Sequence, residues 1–234
     1  MALTPILNLP VHRQVLGVDV ESLAPTQGFG SDAYDVANVN GVLHVENPEQ
    51  QKVRLVYPFP TEDAHAEVRV VSTDERKPFK KPSGKDTQFV PLLQALGEIP
   101  ADEEPLLKTI KEETKDFLVA DIEIPAGEQV IRVFARQQLR PLDEAGRSFE
   151  VVFFAPLAGF ILAPDNDAKM SVSVAFPPAW AAKGMKIGEP TITAVPGQPA
   201  PETKVEGPTK IGARPIYGAL WRRDPKVTIP YSYE

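Results

Sequence analysis

The sequence has no cysteine and only three histidines among its 234 residues. The missing thiols exclude a disulfide framework, a cysteine nucleophile and every zinc or iron–sulfur site that needs Cys ligands. His12, His44 and His65 show no metal-ligand spacing, and His44 alternates with Leu43 and Val45 as a solvent-facing strand residue does. The sequence therefore predicts no cofactor and no metal-binding residue.

Signatures of catalysis and of phosphate binding are missing as well. Gly-x-Ser-x-Gly is absent, and the pair Gly28 and Gly30 lacks the Gly-Lys-Ser/Thr of a phosphate loop. The stretch PDND (164–167) is acidic like a calcium loop, but it lacks that loop's glycine and glutamate and is interpreted as a β-turn. A dispersed carboxylate pair leaves no sequence signature, so a hydrolase stays open as a third alternative. The sequence predicts no catalytic residue and a protein that is not an enzyme.

Long hydrophobic runs and an excess of basic charge are also absent. No window approaches the roughly 20 apolar residues of a membrane helix. The N-terminal stretch is interrupted by Pro5, Asn8 and Pro10, unlike a secretory signal. The net charge of −7 is the opposite of what a nucleic-acid-coating protein needs. We therefore expect no membrane and no nucleic-acid partner, and a cytoplasmic or virion-associated location.

Proline, by contrast, is abundant, with 25 residues. Proline stops helices and cannot donate to a sheet ladder, so it collects at strand ends and turns. Stretches of alternating apolar residues run up to these prolines, as in KVRLVYPFP (52–60) and MSVSVAFPP (170–178). Many short strands bounded by Gly, Pro and Asp predict a mainly β protein. We expect an antiparallel β-sandwich, Ig-like or jelly-roll-like, with a short helical insertion and extended terminal arms.

The stretch VENPEQQKVRLVYPFP (45–60) is predicted to form a hairpin and a corner of a sheet rather than a site. It resembles the opening hairpin of vault/inter-α-trypsin-type and related bacterial β-sandwich domains, and the later turn PAGE (125–128) is similar too. The resemblance covers part of the chain. It implies a β-sandwich fold and implies no activity.

Composition divides the chain into an N-terminal extended arm at 1–38, a β-sandwich body at 39–178, and a C-terminal arm at 179–234. Apolar residues at helical spacing predict a helical insertion at 77–117 within the body. The C-terminal arm contains eight prolines and six glycines, and its alternating final residues predict a closing β-hairpin.

Charge differs between these regions. Residues 1–38 carry one Lys or Arg against four Asp or Glu, whereas residues 179–234 carry eight against five. A basic arm with aromatic residues is suited to dock on a neighbouring acidic body. The residues expected to bind a partner are Tyr217, Trp221, Arg222, Arg223, Val227, Ile229, Tyr231 and Tyr233.

These features favour a non-enzymatic structural or assembly protein whose arms dock to neighbouring subunits. Its partners would be protein subunits in a homo-oligomer or a larger assembly, such as a virion capsid, decoration or tail component. This analogy concerns architecture only. The alternative is a carbohydrate- or ligand-binding β-sandwich module, with Trp180 and Trp221 as stacking platforms.

Overall fold

The structure, a computed structural model, describes residues 6–7, 9–58, 63–82, 117–154, 169–194, 204–221 and 225–234. Over these described residues the chain is mainly β, with a sandwich-like arrangement of sheets and one short helix, which confirms the fold class predicted from the alternating stretches. None of the helices among the described residues is long and apolar enough to span a bilayer.

The elements, in chain order, are β1 (Ile6–Leu7), β2 (Val11–Glu21), α1 (Ala24–Gln27), β3 (Asp35–Asn47), β4 (Gln51–Pro58), β5 (His65–Val70), β6 (Arg76–Pro78), β7 (Phe117–Ile124), β8 (Gly127–Leu139), β9 (Ser148–Phe154), β10 (Lys169–Ala175), β11 (Met185–Ile187), β12 (Thr191–Ala194), β13 (Val205–Ile211), β14 (Arg214–Trp221) and β15 (Pro225–Tyr233).

The largest sheet has eight strands in the order β13-β14-β10-β2-β3-β8-β5-β6. Its neighbours pair antiparallel except β10 and β2, which run parallel, so the sheet is mixed rather than wholly antiparallel as expected. The long strands β2, β3 and β8 form its centre, where Val39 lies opposite both Val18 and Ala135. These alternate residues point inward, and their neighbours along each strand point to solvent.

Two smaller sheets accompany it within the described parts of the chain. One has the order β1-β4-β7, and the other contains β11, β15 and β12, with β9 also paired to β15. The turn at Pro125 and Ala126 carries the chain from the three-stranded to the eight-stranded sheet, and Gly127, the first residue of β8, adopts a φ of 88°, which favours glycine. Buried residues of all three sheets form one hydrophobic cluster, including Leu55, Val133 and Ile229.

The prediction of an extended N-terminal arm at 1–38 is wrong for the described residues of that range. β2 pairs along its length with β3 and with β10, and Leu16, Val18 and Val20 are buried in the core. The boundary predicted at residue 39 also falls inside β3. The alternating apolar residues of this eleven-residue strand are buried against other parts of the same chain, so the segment is a central strand rather than an arm.

The predicted C-terminal arm needs a similar correction. The final two strands do not form a hairpin with each other, because β14 pairs with β13 and β10 whereas β15 pairs with β9, β11 and β12. The hairpin in this region is instead β13–β14. Of the predicted helical insertion at 77–117, residues 83–116 lie outside the described residues, and the helices expected there stay a prediction.

Candidate functional site

A row of polar side chains crosses the solvent-facing side of the eight-stranded sheet. In β8, buried and exposed residues alternate, and the exposed ones include Arg132, Phe134 and Arg136. The register places Arg136 between Asn38 of β3 and His65 of β5. Directly opposite residues on adjacent strands have Cβ atoms about 5 Å apart, so these three side chains are neighbours on one face.

Phe134 occupies the next outward position along β8. It lies between Asn40 of β3 and Glu67 of β5, and 36% of its surface is exposed. An aromatic ring on the polar face of a strand is therefore surrounded by hydrogen-bonding side chains. The inward residues on either side of it, Val133 and Ala135, are buried and fix the strand against the core.

These outward residues, together with neighbouring residues of the same strands, line a groove of about 550 Å³ across β3, β8, β5 and the end of β6. Its volume falls within the range of small-molecule sites. The lining residues are Asn38, Val39, Ala64, His65, Ala66, Glu67, Pro78, Phe79, Phe134, Ala135 and Arg136.

Charge at the groove is nearly balanced. Glu21, from the neighbouring β2, lies 3.6 Å from Nη2 of Arg136 and accepts a long 3.5 Å hydrogen bond from Nδ2 of Asn38. Both members of the Arg136–Glu21 pair are half or more exposed, and pairs of that kind contribute about 0–1 kcal/mol. Arg136 and Asn38 can therefore turn toward a ligand at little cost. Glu67 supplies a carboxylate on the opposite side of Phe134.

Sequence reasoning missed most of this groove. It assigned His65 no role and did not single out Asn38, Glu67, Phe134 or Arg136. The available signal was local: in VIRVFARQ (130–137), a phenylalanine shares one face of an alternating strand with two arginines. The proximity of β5 to β8 and β3 could not be read from that pattern.

The residues expected to bind a partner are mostly used inside the chain. Tyr217, Val227, Ile229, Tyr231 and Tyr233 are all buried and belong to the hydrophobic cluster. Their interpretation as exposed docking residues is therefore wrong, because the alternating face of β15 is covered by the protein's own sheets. Arg222 and Arg223 lie outside the described residues, and so does the side chain of Trp221.

Aromatic rings from distant parts of the chain pack around β15. Tyr231 stacks on Phe149 with ring centroids 5.4 Å apart and meets Phe176 edge-on at the same distance. Tyr217 of β14 also contacts Phe176 edge-on. This aromatic cluster joins β15 to the eight-stranded sheet and leaves no face of these rings for a partner.

A buried carboxylate lies at the edge of this aromatic cluster. Asp35 is fully buried, and its Oδ1 accepts hydrogen bonds from the backbone N–H groups of Leu23 and Ala24 at 2.8 and 2.9 Å. Its Oδ2 accepts from the hydroxyls of Tyr231 and Tyr233. Four donors therefore satisfy one carboxylate, which suits a structural role rather than a reactive one.

The two tyrosines respond electrostatically to that carboxylate. Burial raises the pKa of Tyr231 well above its ordinary value, and the negative charge of Asp35 adds to the effect. Burial also raises the pKa of Tyr233, with a further contribution from its hydrogen bond to Asp35. Both hydroxyls are therefore neutral donors at physiological pH.

The other candidates from the sequence remain apart from the groove. His12 lies 3.1 Å from Glu46, and His44 is exposed on β3. Trp180 is 82% exposed in the segment between β10 and β11. Residues 164–167 lie outside the described residues. Across the described parts of the chain, no group of three or more His, Asp or Glu side chains could hold a metal ion.

Comparison with known proteins gives a likeness of fold. No family model matches the chain, and no curated protein matches it. A solved structure of a Legionella pneumophila protein, provisionally described as a nutrient binding protein, is similar with a TM-score of 0.50 and 10% identity. The match covers 98% of this chain and 70% of that one. The resemblance to vault/inter-α-trypsin-type domains stays a prediction.

Proposed function

We propose that this chain is a non-enzymatic binding module that holds a small polar molecule in the groove on β3, β8 and β5. The observation that carries the proposal is the exposed ring of Phe134 among hydrogen-bonding side chains on neighbouring strands. Asn38 and Arg136 offer donors, and Glu67 offers acceptors. A concave site with an apolar platform and a few polar groups is typical of ligand sites.

Rigid support for the groove adds to this argument. Its side chains project from three paired strands rather than from loops, and residues between them are buried in the core, such as Val39, Ala66 and Ala135. The strand backbones that carry these side chains are fixed before the ligand arrives, which reduces the ordering cost of binding. The similar Legionella protein supports only the fold, and the proposal rests on the groove.

Calorimetric titration against a mixed panel of small molecules tests the proposal. The panel would hold neutral oligosaccharides, a uronate oligosaccharide and free amino acids. We expect at least one of them to bind, and Arg136→Ala to weaken that binding about tenfold, or about 1.4 kcal/mol. Arg132→Ala is the matched control, because Arg132 is exposed on the same strand face but does not line the groove. Equal affinity in both variants, or no binding from the panel, contradicts the proposal.

The leading expectation from the sequence is assembly with other subunits. Five of the residues expected to dock on a partner are buried within the chain, so they no longer support it. It remains a separate prediction. Size-exclusion chromatography with light scattering tests it, and a clean monomer would contradict it.

A further inference from the structure

We infer that the ligand of the groove is a neutral saccharide, bound with the apolar face of a sugar ring against Phe134. This inference rests on the proposed binding function and specifies its class of ligand. It follows from three properties of the groove: an exposed ring, mixed hydrogen-bonding groups, and balanced charge in contact with solvent.

The first property concerns Phe134. An exposed aromatic ring presents a flat apolar surface whose face carries partial negative charge. The C–H groups on one side of a pyranose form a flat surface of matching size with partial positive charge. The ring of Phe134 lies on a polar sheet face between Asn40 and Glu67, so a molecule on it must be apolar toward the ring and polar around its edge. A sugar ring has that arrangement.

The second property is the mixture of donors and acceptors. Asn38 can donate and accept, Arg136 only donates, and an ionised Glu67 only accepts. Each sugar hydroxyl also both donates and accepts, so adjacent hydroxyls can pair with all three side chains. A ligand that carries only acceptors would place an acceptor against the carboxylate of Glu67, where no hydrogen bond can form.

The third property is the charge. Arg136 already lies beside Glu21, and Glu67 makes no ion pair with any described residue. An anionic ligand on Phe134 would therefore meet the carboxylate of Glu67. A zwitterion could use Arg136 and Glu67 together, but ionic contacts in so exposed a groove contribute only about 0–1 kcal/mol. Hydrogen bonds from neutral hydroxyls are also largely offset by bonds to water, so the contact of an apolar ring face with Phe134 is what favours the neutral saccharide.

Titration calorimetry with defined probes tests the inference. The neutral probes are cellotriose, maltotriose and xylotriose, the anionic probe is trigalacturonate, and the zwitterion is leucine. We expect at least one neutral trisaccharide to bind, Phe134→Ala to weaken it about tenfold, and Phe134→Tyr to retain it. Phe134→Leu keeps an apolar side chain without a flat ring, and we expect a similar loss. Leu220→Ala, which removes an exposed apolar side chain elsewhere on the sheet, is the control and should bind normally.

The outcomes separate the inference from the proposed function. If trigalacturonate or leucine binds, no neutral probe does, and Arg136→Ala abolishes the signal, the saccharide inference is overturned and the groove is kept as a binding site. If a neutral trisaccharide binds and both Phe134→Ala and Phe134→Leu leave its affinity unchanged, the stacking arrangement is wrong. If no probe binds the folded protein, the inference and the proposed function both fail.

Discussion

The hydroxyl of Tyr233, one residue from the end of the chain, donates a 2.6 Å hydrogen bond to Oδ2 of Asp35 at the start of β3. The hydroxyl of Ser22 lies 2.6 Å from the same tyrosine oxygen. Because the Tyr233 proton is donated to Asp35, the Ser22 hydroxyl is the donor of this second hydrogen bond. Residues 198 positions apart are thus joined through a buried carboxylate. The C-terminal strand is fixed to the N-terminal part of the protein by polar contacts as well as by its aromatic rings.

Asp35→Ala is expected to destabilise the protein strongly. The substitution leaves two backbone N–H groups and two tyrosine hydroxyls without their acceptor, and hydrogen bonds to charged groups contribute about 1.5–3 kcal/mol each. We predict a decrease in the free energy of unfolding of about 3 kcal/mol or more, measured by urea denaturation. Asp32→Ala, at an exposed aspartate of the preceding turn, should change it little. Equal effects of the two substitutions would show that Asp35 does not hold β15.

Truncation after Val205 is expected to abolish cooperative unfolding. It removes β14 and β15, which supply Tyr217, Ile229 and Tyr231 to the core and pair with strands of two sheets. A C-terminal arm that docks on a neighbouring subunit, as the sequence suggested, would instead leave a folded and soluble body after the truncation. Circular dichroism during thermal denaturation decides between them. A cooperative transition near that of the full-length chain would show that β14 and β15 are not needed for folding, as expected of an arm.

Acid is expected to weaken the cross-strand pair of Arg54 and Asp121, in which Nε and Nη2 donate at 2.7 and 2.9 Å. The hydrogen bond from Arg54 holds the pKa of Asp121 below its ordinary value of 3.8, against the opposing effect of burial. A carboxyl whose pKa is lower in the folded state stabilises it above the unfolded pKa and loses that contribution as pH falls through the folded one.

The test compares the unfolding free energy of the natural sequence and of Asp121→Asn from about pH 6 to about pH 2. We expect the natural sequence to be more stable by about 0.5–1 kcal/mol at the upper end, with the difference vanishing at the lower end. A difference that grows as the pH falls contradicts the assignment.

Gln137→Leu is expected to stabilise the protein. Gln137 is 1% exposed, and within the described structure neither its Nε2 nor its Oε1 has a hydrogen-bond partner. An unsatisfied buried amide costs about 1–3 kcal/mol, so an apolar side chain of similar size should raise the unfolding free energy by about 1 kcal/mol.

Gln129→Leu on the same strand is the control for that substitution. Nε2 of Gln129 donates to the carbonyl of Ala126, and its Oε1 accepts from the hydroxyl of Ser72, so its replacement should not stabilise. Destabilisation by Gln137→Leu would reveal a polar partner for Gln137 and contradict the prediction.

The sequence alone determined that the chain is mainly β and where many strands run. Apolar residues alternate over Val53 to Tyr57, Val172 to Val174 and Val227 to Tyr233. These alternating residues are buried as expected, and in β4 Val56 on the other face is buried as well. This agreement has a local cause. Successive side chains of a strand point to opposite faces, so the period can be read within a few residues.

Only the tertiary structure decided which strands meet. The same alternation in β15 fits a docking arm or an internal strand, and the outcome depended on Phe149 and Phe176 being available to cover it. The groove likewise required β5 to pair with β8, which brings His65 beside Arg136. Pairing is set by competition among all apolar faces of the chain for burial, and closing a long loop costs little more than closing a short one. Each strand can therefore pair with strands that are distant in the sequence, and no local pattern shows which of them it will pair with.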